Sequence, residues 1–186
     1  AALAAGLGAA LIGLAPIGIR LSELGPQLTN FWRFVLALPI LAVWAALTRE
    51  KPNLKQVGWL VFGGALFGIE VSLWGAAVVL TTVVNATLLA NLTPVFAALF
   101  GWLVLKEKLS RAIVGGIAVA LCGAGLLAFA RSQGAGHADA HGHLGDALGF
   151  CAAIGYAGYL LVLRWIGPSV RAGPVMFWAT LGAAII

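Results

Sequence analysis

The sequence predicts an all-α polytopic membrane protein, and three observations predict it. Of its 186 residues 62% are hydrophobic and only 9% charged, and the mean hydropathy is +1.03, a balance foreign to soluble domains. The apolar residues gather into stretches near the ~20 residues that a helix needs to cross a bilayer. The basic residues concentrate in alternate loops between those stretches.

The spans read as residues 2–19, 28–47, 57–80, 83–105, 112–130 and 147–166, with a seventh opening at Pro174. The first is Ala-rich but lacks the charged start of a signal peptide, and further spans follow it, so it reads as a span. The chain opens without Met, inside a hydrophobic run, and stops within the seventh span, which reads as a fragment of a longer protein. Arg49, Lys51 and Lys55 lie between spans two and three, Lys106, Lys108 and Arg111 between four and five, and Arg164 and Arg171 between six and seven. The other loops hold only Arg20 and Arg131. The positive-inside rule then places the N-terminus in the cytoplasm of a multi-pass inner (plasma) membrane protein.

This distribution accounts for the net charge of +5 without nucleic acid, whose binding needs a contiguous basic patch with stacking aromatics. The partners expected are the lipid bilayer and a small-molecule substrate. Cys122 and Cys151 fall within spans and read as buried thiols rather than a disulfide or metal pair. No cofactor and no resident metal are expected. The tract 132–146 holds His137, Asp139, His141 and His143 among glycines; His-rich tracts bind metal in some settings, but here an external, flexible linker is the default.

Residues 1–131 form a first five-helix unit, and 147–186 the start of a second. At an offset of 142, Ala10, Ile12, Gly13, Ala15 and Leu21 meet Ala152, Ile154, Gly155, Ala157 and Leu163, and Gly25-Pro26 meets Gly167-Pro168. After a four-residue insertion, Phe31-Trp32 meets Phe177-Trp178. An odd number of spans per unit obliges the second copy to start on the opposite side, and the basic loop after span six has a nearly neutral counterpart after span one. Inverted repeats of this kind serve alternating access in transporters.

Span four carries Asn85, Thr87, Asn91, Thr93 and Pro94. Thr87 and Asn91 are four apart and share a helical face. Pro94 removes a donor and clashes with the carbonyl of Ala90, so it kinks the helix. The polar residues either bond neighbouring helices, at ~0.6–2 kcal/mol each, or line a pathway. Leu92-Thr93-Pro94-Val95, followed by Glu107-Lys108-Leu109-Ser110, resembles the fourth helix and its exit in the drug/metabolite transporter superfamily, EamA branch; Phe31-Trp32-Arg33-Phe34 is similar to that branch as well. The resemblance implies ten helices in two inverted repeats, with both termini cytoplasmic, and export of small metabolites, often amino acids. The aromatic amino-acid exporter group is the first it brings forward.

Two charges lie inside spans. Arg33 is ~8 Å from the outer end of span two, within snorkelling reach of headgroups. Glu70 is ~15 Å from the outer end of span three. Burying an acid there costs ~3 kcal/mol, so it is paired, protonated or faces water. Trp74 follows at i+4 on the same face. Glu70, Trp74 and Arg33 are the candidates for the outer half of a central cavity, with Asn85, Thr87, Asn91 and Tyr156 as further pathway residues and Tyr159 beside Tyr156 by position alone; an Arg33–Glu70 ion pair is the structural alternative. Glu107 reads as a solvated end or a local salt bridge, and Ser110 as a helix cap. Gly64 and Gly68, and likewise Ala147, Cys151 and Gly155, read as close-packing faces. Trp44, Trp59, Trp102 and Trp165 read as an interfacial belt.

Three functions compete. A secondary transporter exporting amino acids, cationic drugs or other metabolites accounts for the repeat and for Glu70. A non-transporting assembly subunit accounts for the glycines alone. An intramembrane enzyme needs a His or a second acid deep in a span, or an HExxH motif, and the sequence has neither.

Overall fold

The computed structural model describes residues 25–48, 51–133 and 140–186. Span one, His137 and Asp139 lie outside the described residues. Every regular element described is helical: α1 (Pro26–Leu47), α2 (Leu54–Leu80), α3 (Val83–Ala90), α4 (Thr93–Leu105), α5 (Arg111–Gln133), α6 (Ala140–Ile166), a 3₁₀ turn (Gly167–Ser169) and α7 (Ala172–Ala184). Four segments are long and apolar enough to cross a membrane: Gln27–Leu47, Leu54–Leu80, Val83–Leu105 and Gly142–Ser169. Arg111–Leu126 and Ala172–Ala184 are shorter apolar helices. The chain is an all-α polytopic membrane protein, as its hydropathy predicts.

The helix ends follow local chemistry. Pro26 starts α1, where its missing N–H costs nothing. Asn53 caps α2: its side chain accepts from the Gln56 N–H, and Gln56 reaches back to the Asn53 N–H, a reciprocal capping box. The Thr82 hydroxyl accepts from the Asn85 N–H to start α3, and Ser110 Oγ accepts from the Ile113 N–H at 3.2 Å to start α5. Lys106 ends α4 in the left-handed region with φ 55°.

Span four is interrupted next to Pro94, where Asn91 and Leu92 leave the regular α-helical bonding but keep right-handed helical angles. The α-helix stops at Ala90 and restarts at Thr93, with Pro94 in the first turn of the new segment. The carbonyl of Ala90, which Pro94 cannot serve, accepts the Thr93 hydroxyl at 2.7 Å instead. Asn91 stays joined to Thr87, its N–H donating to the Thr87 carbonyl at 2.9 Å. The Thr87 Oγ1 is buried, whereas Asn91 is exposed at the end of α3.

At the centre, α2 and α6 pack antiparallel along their length. A Cβ at Gly63 would meet Val162 at 2.9 Å, one at Gly158 would meet Leu66 at 3.2 Å, and one at Gly145 would meet Thr81 at 2.9 Å. Farther along α6, Gly149 lies against Ala86 of α3, and Phe150 meets Phe96 of α4 edge-on at 5.2 Å. On the other side, α7 wedges between α1 and α2: Gly64 and Gly68 face Ala179 and Ala183, Gly182 faces Val61, and a Cβ at Gly173 would lie 3.2 Å from the Trp44 carbonyl oxygen. The Gly64/Gly68 row therefore does the close packing its spacing predicts. The row expected on span six does not act as a unit, because Ala147 and Cys151 are exposed. The small residues that bury α6 are Gly145, Gly149, Ala152 and Ala153.

Helix α6 begins at Ala140, seven residues before the start expected at 147, and carries Asp146 within helical structure. Asp146 Oδ1 accepts from the Thr81 hydroxyl at 3.0 Å, tying the start of α6 to the end of α2. Trp44, Trp59, Trp102 and Trp165 are all exposed, as side chains of an interfacial belt are.

Candidate functional site

The polar centre of the described bundle is built by α1, α2 and α6. Asn30, Arg33 and Phe34 follow helical spacing on α1. Asn30 is 2% exposed; its Nδ2 donates to the Val71 carbonyl of α2 at 3.2 Å, and its Oδ1 accepts from Arg33 Nη1 at 3.1 Å. A buried Asn needs such partners, and both of its functional ends have one. One turn away, Gln27 Nε2 donates to the Ser72 carbonyl at 3.5 Å.

Glu70 stands one residue before Val71 and faces α6. A Cβ at Gly155 would lie 3.4 Å from the Glu70 Cβ and 3.5 Å from the Leu66 carbonyl oxygen, so the absence of a side chain at 155 lets α6 approach α2 here. Arg33 on α1 is held by Asn30, which bonds Val71 next to Glu70, and Tyr156 follows directly on Gly155 of α6. The two charged side chains form no ion pair within 4 Å. Arg33 is held by Asn30 instead, and its side chain is exposed.

Beside this carboxylate runs a ladder of four rings from three helices. Phe34 meets Phe67 edge-on at 5.8 Å, Phe67 stacks on Tyr159 at 5.0 Å, and Tyr159 stacks on Tyr156 at 5.9 Å. Such pairs add ~0.5–1.5 kcal/mol beyond area burial, which fixes the ring positions and gives the site a polarizable apolar wall. Tyr159 is buried and Tyr156 half-buried. Among the described residues no group of three His, Cys, Asp or Glu side chains is arranged to hold a metal ion.

Of the sequence-derived candidates, Glu70, Arg33 and Tyr156 come together here. Trp74 does not join them: it packs with Val83 and Leu148 on the buried Ala77–Val78–Ala86 cluster. Asn85 takes part in the start of α3 through its backbone. Thr87, Asn91 and Pro94 belong to the break in span four, and the buried Thr87 hydroxyl has no hydrogen-bond partner. Reading the sequence missed Asn30, Phe34 and Phe67. The spacing Asn30-x-x-Arg33-Phe34 was a usable signal for the first two, since it sets all three on one face. Nothing local marks Phe67, whose role arises from α2 meeting Tyr159 of α6.

Glu107 has a partner that sequence distance concealed. Its Oε2 accepts a salt bridge from Arg164 Nη2 at 3.0 Å, linking the exit of α4 to the end of α6.

A bundle of long apolar helices around a charged and aromatic centre defines a polytopic membrane protein. The profile of the EamA-like transporter family matches residues 1–129. The chain belongs to that family, which transports small molecules across membranes. Comparison with curated proteins and with solved structures returns no match.

Proposed function

We propose that the protein is a secondary transporter of the inner membrane that exports small metabolites, amino acids before others, by alternating access between two inverted five-helix repeats. In this reading the N-terminus and the Lys/Arg-rich loops are cytoplasmic. Glu70, Arg33 and Tyr156 contact the substrate, while Trp74, Asn85, Thr87 and Asn91 line its route where span four is broken at Pro94.

The observation that carries the reading is the separation of Arg33 and Glu70. Each is a charge within a span, yet Arg33 bonds Asn30 and no ion pair consumes Glu70. An acid at that depth costs ~3 kcal/mol. A cation and a buried acid on adjacent helices offer separate polar partners for the two ends of an amino acid. The Phe34–Phe67–Tyr159–Tyr156 ladder supplies an apolar wall for its side chain, which supports testing aromatic amino acids first. The same rings beside one carboxylate also favour organic cations through cation–π attraction, so exported cationic drugs are the second reading.

The test is counterflow of radiolabelled amino acids into liposomes carrying the full-length protein. Accumulation driven by an internal amino-acid pool supports the reading. No accumulation by folded protein, with accumulation of an organic cation, replaces it with the second. Movement of no solute by the protein alone leaves the non-transporting subunit.

A further inference from the structure

The segment that joins α6 to α7 is strapped onto the first half of the chain by successive side chains. Arg164 pairs with Glu107 at 3.0 Å. Trp165 meets Trp59 edge-on, with centroids 5.0 Å apart. Ser169 Oγ accepts from Gln56 Nε2 at 3.1 Å, and Arg171 Nη1 donates to the Thr48 carbonyl at 3.5 Å. The four first-half partners come from three separate places: the end of α1, the first turns of α2 and the exit of α4. All of them lie at the Lys/Arg-rich end of the bundle.

The backbone is shaped to present the ion pair. Lys106 turns the chain through the left-handed region, and the Glu107 N–H closes back on the Gly101 carbonyl at 3.2 Å. This aims the Glu107 side chain across the end of α4. Gly101 leaves the space: a Cβ there would sit 3.1 Å from Glu107 Oε2 and 3.8 Å from Arg164 Nη1. The Glu107 and Arg164 side chains are 38% and 61% exposed, so the pair is accessible to water and breaks at little cost. Gln56 also completes the α2 capping box, which fixes the side chain that reaches Ser169. Ser169 in turn donates to the Ile166 carbonyl at 2.7 Å.

We propose that residues 164–171 form a releasable clasp between the two halves, closed in this conformation, and that Glu107, Arg164, Gln56 and Ser169 are positioning residues that must separate for this end of the transport pathway to open. The clasp rests on the transport reading above for its role in flux, but not for its existence. Several weak, solvated contacts suit such a device: together they hold one state, and individually none traps it. A buried pair would cost several kcal/mol to break.

The test joins the clasp covalently. In full-length protein with Cys122 and Cys151 replaced by Ser, and flux equal to wild type, Gln56→Cys and Ser169→Cys are introduced together. A short bis-methanethiosulfonate reagent, which spans the length lost from the Gln side chain, should crosslink the pair in most molecules and cut counterflow to about a tenth or less, as locking one state of an alternating cycle requires; reduction should restore it. Undiminished flux with the crosslink complete overturns the proposal, as does failure of the folded protein to crosslink. Adding Glu107→Gln to the same background should slow crosslinking several-fold, and adding Arg164→Glu with Glu107→Arg should recover it. Crosslinking indifferent to these charges also overturns it. A wild type that moves no solute overturns the transport reading and leaves the crosslinking rates to decide the clasp.

Discussion

Gly155 of α6 lies directly against Glu70 of α2: a Cβ added at 155 would be 3.4 Å from the Glu70 Cβ. That is ordinary van der Waals distance. Gly155→Ala should therefore fold and transport nearly as the wild type does. Gly155→Leu has no such room and should displace Glu70, lowering transport more than thermal stability. Counterflow and thermal unfolding measured side by side check both. A Leu variant with wild-type flux would mean that Glu70 is not approached from this side.

The glycines of the α2–α7 contact tolerate less. A Cβ at Gly64 would collide with the Ala179 carbonyl and one at Gly182 with that of Val61. Both obstacles are backbone, which cannot swing aside as a side chain does. Each Gly→Ala change should destabilise by ~1–3 kcal/mol, the usual range for overpacking. Gly115→Ala and Gly116→Ala, with nothing within 4 Å, should be neutral or slightly stabilising. Thermal melts in detergent separate the two classes.

Asn30 links three things at once: α1, the Val71 carbonyl and Arg33. Asn30→Leu should lose ~0.6–1.7 kcal/mol of interhelical bonding and release Arg33 from its partner. Asn30→Asp keeps an acceptor for Arg33 but loses the donor to Val71. Stability should fall in both variants, whereas Arg33-dependent transport should fall mainly in the Leu variant.

The Thr87 hydroxyl is buried without a hydrogen-bond partner. An unsatisfied buried hydroxyl costs ~1–3 kcal/mol relative to an apolar group of the same shape. Thr87→Val should therefore raise the melting temperature. If transport falls while stability rises, Thr87 serves the pathway at a cost to the fold; unchanged transport leaves it outside the pathway.

The bilayer made most of the fold legible. Helices must satisfy their own backbone in lipid, so runs of apolar residues map onto helices almost directly, and α1, α2 and α5 coincide with their expected spans to within a few residues. The early start of α6 escaped detection because residues 140–146 are polar. Their helix is supported by contact with the end of α2, through Gly145 and Asp146 against Thr81. Span four hid its break because a proline in an apolar run announces an interruption but not its degree. Glu70 and Arg33 stood out as charges at depth, and Tyr156 followed from position. So did Tyr159, but their neighbour Phe67 did not, since an aromatic in an apolar helix is unremarkable until its partner helix is known. Trp74 shares a face with Glu70, yet one turn away it meets a different neighbour, the Ala77–Val78–Ala86 cluster. Glu107 looked local because Lys106 and Lys108 flank it, yet its partner lies 57 positions along the chain at Arg164.

The central claim is that Glu70 engages the transported solute, and Glu70→Gln in full-length protein tests it most directly. Gln keeps the shape and removes the charge, so folding and membrane abundance should persist. Counterflow of the substrate that the wild type carries should fall by about tenfold or more, the loss expected when ~1.4 kcal/mol of interaction disappears. Wild-type counterflow by a well-folded Glu70→Gln variant would contradict the account.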